Sequence, residues 1–196
     1  NCKGSPTFRH GGGNKYNNNI NINCGLRIHG ARHEVKNNQF LRNGQKQLLQ
    51  FVIGNADYTD DAELGISNTR YAQVKDCLIE HNMIIGEDAT SNTLFYLGYS
   101  TRNYKPINNT IRENIIMSNK GTLAADNNGA LWTANNLSNN ILWPTGTALK
   151  GDMPGAVTDP KLVKNADGTY SFPPMPLSWN QTTKLLTPSD VGILAA

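Results

Sequence analysis

The sequence predicts an all-β chain wound as a parallel β-helix, and three observations carry that expectation. Asparagine recurs at polar corners just ahead of an apolar residue: Asn18-Asn19-Ile20, Asn37-Asn38-Gln39-Phe40, His81-Asn82-Met83, Glu113-Asn114-Ile115 and Asn139-Asn140-Ile141. Stacked carboxamides can hydrogen-bond as a ladder, and asparagine tolerates the left-handed backbone that a sharp corner between strands demands. Short apolar strands closed by glycine alternate with these corners, at Phe8 to Gly11, Leu26 to Gly30, Phe51 to Gly54 and Phe95 to Gly98, so each coil holds at least two strands. The third observation is a spacing of 19 residues, from Gly11 to Gly30 and again from Asn18 to Asn37, which fits one coil of a solenoid. Long runs of helical periodicity are absent, and little α-helix is expected.

The first elements are Thr7-Phe8-Arg9-His10-Gly11 and Gly25-Leu26-Arg27-Ile28-His29-Gly30. Alternation in an extended chain sends Phe8, Leu26 and Ile28 to a buried face and Arg9 and Arg27 to the opposite one. The two arginines are 18 residues apart, about one coil, and on one sheet surface they can hold a carboxylate between them. Aligning the terminal glycines would set Arg9 against Ile28 and reverse its facing, so this reading requires an extra residue or bulge in one of the two coils.

Gly54 and Gly98 are 44 residues apart, which places an insertion at 55–70. That stretch is polar, lacks alternation and concentrates Asp57, Asp60, Asp61 and Glu63, with Tyr58 as a candidate sugar contact. It reads as a protruding loop whose spacing matches no compact calcium loop. The coil pattern resumes from Val74 to Ile85 and continues through Ile107 to Ile116 and Ala130 to Leu142. Phe40, Met83, Ile115 and Ile141 are expected to point into the helix. After Trp143-Pro144 the chain turns proline-rich and irregular, so residues 1–143 are assigned to coils and 144–196 to a tail folded back over the last coil to cover its open edge.

The 196 residues suffice for one domain with a sizeable core. With 17% charged residues and a net charge of +3, the chain is too mildly basic for a nucleic-acid binder, yet compatible with a local basic groove for an acidic polymer. Cys2, Cys24 and Cys77 lack disulfide or zinc spacing and read as buried small residues. No apolar run approaches the roughly 18 residues of a membrane span, and no signal-peptide pattern opens the chain. Beginning at Asn1-Cys2-Lys3, the helix starts in mid-coil, and more of the same protein is expected to stack on that end.

Three segments together resemble one known family. Thr7-Phe8-Arg9-His10-Gly11, Gly25-Leu26-Arg27-Ile28-His29-Gly30 and Val35-Lys36-Asn37-Asn38-Gln39-Phe40 are similar to the second half of the family 6 polysaccharide lyases, the alginate lyase and chondroitinase B family. The tail Leu186-Thr187-Pro188-Ser189-Asp190-Val191-Gly192 looks like that family's ending. The resemblance implies a right-handed parallel β-helix, a secreted or periplasmic protein, and β-elimination on an acidic polysaccharide. In that reaction a base takes the C5 proton of a uronate, neutralisation of its carboxylate lets negative charge build, and the C4 oxygen leaves.

By the same resemblance Arg9 is catalytic and His10 contacts substrate, while Arg27 binds substrate and favours alginate over dermatan sulfate. A guanidinium hardly deprotonates, so stabilising the developing carboxylate and leaving oxygen fits Arg9 better than proton donation. The family's lysine base and Ca²⁺ ligands would precede Asn1, in an N-terminal half that stacks on this end, so no metal ligands are assigned within the chain. Lys3 matches a variable position of the family. His29 and His33 fall on no catalytic position and read as core-satisfied or solvated, and His81 reads as structural. The expected function is an alginate lyase half carrying the Arg-His part of the site. The alternatives are a non-catalytic β-helix that binds acidic polysaccharide, a dermatan sulfate lyase and a uronan C5-epimerase, with neither nucleic acid nor membrane as partner.

Overall fold

The structure, a computed structural model, describes residues 6–9, 11–43, 51–56, 71–87, 93–98, 102–126, 129 and 131–172. The chain is a parallel β-helix, and its coils carry three strands each among the described residues. The first coil is β1 (Thr7–Phe8), β2 (Lys15–Asn17) and β3 (Ile20–Ile22), and the second is β4 (Leu26–Ile28), β5 (Glu34–Lys36) and β6 (Gln39–Asn43). The third is β7 (Phe51–Ile53), β8 (Leu78–Glu80) and β9 (Met83–Glu87), and the fourth is β10 (Thr93–Leu97), β11 (Thr110–Arg112) and β12 (Ile115–Ser118). The fifth is β13 (Thr122–Asp126), β14 (Asn136–Ser138) and β15 (Ile141–Pro144), after which β16 (Leu149–Gly151) opens a further turn. Strands of equal place in each coil stack in parallel, giving sheets β1-β4-β7-β10-β13-β16, β2-β5-β8-β11-β14 and β3-β6-β9-β12-β15. The stacking therefore runs past residue 143, through β16.

The asparagine corners behave as the residue types require. Asn18, Asn37, His81, Glu113 and Asn139 all take left-handed backbone, with φ between 54° and 60°. The asparagine after each one enters a ladder in which Nδ2 donates to the Oδ1 of the next coil: Asn19 to Asn38 at 3.0 Å, Asn38 to Asn82 at 2.9 Å, Asn82 to Asn114 at 2.9 Å and Asn114 to Asn140 at 3.0 Å. His81, at one of these corners, is paired with Glu113.

A second ladder occupies the corner before the β2 sheet, where the sequence signal is interrupted. The Asn109 amide donates to Asn135 Oδ1 at 2.8 Å, and Asn109 Oδ1 accepts from the Cys77 backbone N–H at 3.0 Å. One coil earlier His33 holds the place, its Nδ1 accepting from the Asn14 backbone N–H at 3.1 Å while Nε2 bonds the His29 carbonyl at 2.9 Å. Cys77 is thus a buried stand-in for asparagine, and burial pushes its thiol up to about 12, which leaves it unreactive.

Burial lowers the His33 pKa, and its hydrogen bond to His29 offsets only part of that. A base lowered in the native state is protonated first in the unfolded chain, so its contribution is intact above the ordinary value of 6.5 and is lost as pH falls below it. Thermal unfolding is accordingly expected to show a falling melting temperature from neutral pH toward pH ~5, where imidazole titrates. The drop should be smaller in His33→Asn, which restores the ladder residue. Equal acid slopes for the two proteins would refute the assignment.

Inside the coils an aromatic chain runs along the axis. Tyr16, Phe40, Phe51, Phe95 and Trp132 follow one another with ring centroids 6.2, 5.2, 5.0 and 5.8 Å apart. Trp132, on a short 3-10 turn, and the fully buried Met153 of the tail close the far end of this core. The backbone of Ala156 pairs with β15, so the tail also covers that edge.

Beyond that point the tail does something the sequence did not reveal. It runs back along the outer face of the β3 sheet, where Gln39 clamps the Tyr170 backbone through both amide atoms at 3.0 and 3.1 Å. Glu87 receives the Tyr170 hydroxyl and Lys164. Three of the four residues expected to point inward are corrected by this. Phe40 is interior, but the register puts Gln39, Met83, Ile115 and Ile141 in one outward row and Phe40, Ile84, Ile116 and Leu142 in the inward one. Met83, Ile115 and Ile141 are buried nonetheless, because Tyr170, Leu162 and Phe172 cover them. Each such burial contributes on the order of 1.5–3 kcal/mol, which is reason enough for apolar residues on both faces of this sheet.

Candidate functional site

The outward face of the β1 sheet carries the cations. Phe8 pairs with Ile28 and Gly12 with Ala31, so the first coil spends one more residue between those pairings than the second does. That extra residue is the slip the sequence demanded, and it keeps Arg9 and Arg27 on one face. They are not side by side: Thr7 stands opposite Arg27, and the continued register sets Arg9 beside His29.

What joins them is Tyr71, in the connection from β7 to β8. The guanidinium carbon of Arg27 lies 4.8 Å from its ring centroid, that of Arg9 5.2 Å and that of Arg102 4.4 Å. Three cations around one neutral ring repel one another, and cation–π attraction of roughly 0.5–1 kcal/mol each offsets part of that at a partly exposed site. Guanidinium groups gathered in this way have the geometry to grip a carboxylate or sulfate.

Under the ring lies His29, fully buried and stacked on Tyr71 with centroids 4.2 Å apart. Arg27 Nε–H donates to His29 Nε2 at 3.0 Å. The room for this imidazole comes from the glycine that ends β7: a Cβ on Gly54 would stand 2.2 Å from His29 Cε1. Glycine-closed strands are thus spatial provisions for the site as well as turns.

Of the residues singled out from the sequence, Arg9 and Arg27 come together. His10 lies outside the described residues, as do Lys3, Cys2, Tyr58 and the acidic side chains at 57–63. His33 and Cys77 belong to the second ladder, and Cys24 is buried. Tyr71, Arg102 and the positioning contact of His29 are additions from the structure. Tyr71 and Arg102 follow or lie between strands, where no repeat marks them. His29 could have been found from its alternation with Arg27, since both project to one face.

One group of possible metal ligands occurs among the described residues, Glu80, His81 and Glu113, with ligand atoms within 4.8 Å of one another. The Glu80 carboxylate is already occupied by Lys36 at 3.1 Å and Arg112 at 2.6 Å. Burial raises its pKa, but those two hydrogen-bonded cations outweigh it and hold the carboxyl below the usual range. The group reads as an ion-pair network along the β5-β8-β11 face.

Comparison with family models, with curated proteins and with solved structures gives no match for this chain. No helix among the described residues is long and apolar enough to cross a membrane.

Proposed function

We propose that this chain binds an acidic uronate polysaccharide at the Arg9–Arg27–Arg102 cluster and, with preceding coils of the same protein, cleaves it by β-elimination. The observation that carries the proposal is the convergence of three guanidiniums on Tyr71 at one partly exposed site. A uronate carboxylate seated there would be neutralised as the C5 proton leaves, the step that limits elimination in water. The C5–H electrons form the C4–C5 double bond, the C4–O bond breaks, and the leaving oxygen takes up a proton.

On this reading alginate is the substrate, with Arg9 nearest the reacting atoms, Arg27 on the carboxylate, and His10 as a further substrate contact. The base is a lysine from an N-terminal half stacking on the Asn1 end, and any Ca²⁺ belongs to that half. Such an enzyme works outside the cytoplasm, where polymeric uronate is met.

The test joins the two halves. The 196-residue chain is expected to bind alginate oligosaccharide without cleaving it, and the complete protein to release product with an unsaturated, ultraviolet-absorbing end. Arg9→Lys in the complete protein keeps charge but loses the planar fork, and should lower turnover by on the order of a hundredfold, the scale of one lost transition-state donor. Binding without cleavage by the complete protein would point to a non-catalytic polysaccharide module. Uronate inversion without unsaturated ends would point to an epimerase.

A further inference from the structure

We infer that Tyr96 is a sugar-stacking platform, and that a polysaccharide held at the arginine cluster runs along the coil axis toward it. The inference rests on the polysaccharide reading above and adds to it a direction for the polymer and a second contact. Tyr96 stands in β10 between Phe95 and Leu97, both fully buried in the core, so alternation turns its side chain to the outer face, where it is half-buried. Arg27 has the same place between Leu26 and Ile28 in β4. The register sets the two in one row across the β1 sheet: Arg27 pairs with Val52, and Val52 with Tyr96.

Strands stack at about 4.8 Å, so two spacings place the Tyr96 backbone roughly 10 Å from that of Arg27. One spacing is close to the length that each 1,4-linked pyranose adds to a chain. A polymer laid across the strands therefore brings its third ring to Tyr96 when its first is at Arg27. Tyrosine suits that place, because its flat apolar face packs on the C–H face of a sugar while its hydroxyl can bond a sugar hydroxyl. Among the described residues Tyr96 has no ring contact and its hydroxyl no hydrogen-bond partner, whereas its neighbour Phe95 is packed edge-on against Phe51 and Trp132 inside the coil. The next residue of the row is Ala125, whose methyl is too small to cover an aromatic face.

The test compares the affinity of the 196-residue chain for a dimeric and a trimeric uronate from alginate. The native chain should hold the trimer about fivefold more tightly, the scale of one aromatic face added to a contact. Tyr96→Leu keeps apolar volume without a flat ring and should abolish that preference, whereas Tyr96→Phe keeps the ring and should retain most of it. The trimer-to-dimer ratio is read within each protein, so a general loss of folding or of the arginine site does not imitate the effect. An unchanged ratio in Tyr96→Leu, a phenylalanine variant no better than the leucine one, or a native chain without trimer preference would each overturn the inference. Were the native chain to bind a neutral trimer of 1,4-linked glucose through Tyr96 but neither uronate, the uronate reading would fail and the platform would stand. Binding of no sugar at all would end both.

Discussion

Asn82→Ala is expected to cost about 3–5 kcal/mol, a large fraction of the roughly 5–15 kcal/mol that keeps a domain folded. The side chain is fully buried. Its Oδ1 accepts from the Asn38 backbone N–H at 3.1 Å and from Asn38 Nδ2 at 2.9 Å. Its Nδ2 donates to Val35 O at 2.9 Å, Glu80 O at 3.0 Å and Asn114 Oδ1 at 2.9 Å. Truncation strands these partners away from water at about 1–3 kcal/mol for each group left wholly unsatisfied, and the shared carbonyls soften the sum. Asn19→Ala, at the half-buried first rung, should cost about 1 kcal/mol, the net worth of an ordinary hydrogen bond. Denaturant unfolding of the two variants measures the contrast, and similar small losses at both positions would contradict a cooperative ladder.

Gly54→Ala is expected to dismantle the candidate site. An alanine methyl at 2.2 Å from His29 Cε1 overlaps the ring outright, so the imidazole must leave its hollow, and Arg27 loses its acceptor and Tyr71 its stacking partner together. Binding of the uronate trimer should fall by at least about tenfold, at a stability cost of roughly 1–3 kcal/mol, the usual range for overpacking. Adding His29→Ala returns the space and should restore stability without restoring affinity. Native affinity in Gly54→Ala alone would mean that the ring can move without consequence, and the His29 contact would carry no function.

Why so much of the coil was legible, and part of it not, follows from which residues have substitutes. The corner at Asn82 needs both a left-handed residue and a carboxamide that donates and accepts, a demand few side chains meet, so the pattern repeats visibly. The other corner was concealed because His33 and Cys77 satisfy it with different chemistry. Facing in β4 was readable because its outward residue, Arg27, is a cation between two fully buried apolar neighbours. In β9, β12 and β15 both faces are buried, and alternation carries no information about which side Met83 or Ile115 takes. Arg9 and Arg27 stood out as cations between apolar neighbours. Tyr71 and Arg102 arrive at the site from connections, and connections obey no period.

The asparagine ladder also has a polarity. Every Nδ2 from Asn19 to Asn114 donates the same way, to the carboxamide oxygen of the later coil, and among the described residues the run ends at Asn140, whose amide keeps the bond to the preceding coil's Ile111 carbonyl at 2.8 Å that the inner rungs also make. The carboxamide dipoles therefore add head to tail, with an oxygen leading at the Asn19 side. A coil laid on that side in the same sense offers an N–H to that oxygen and extends the series. Two such ends brought face to face would set oxygen against oxygen. The solenoid thus accepts growth in one direction of winding and opposes mirror-wise pairing of its own open sheets, a selectivity written in amide orientation rather than in surface charge.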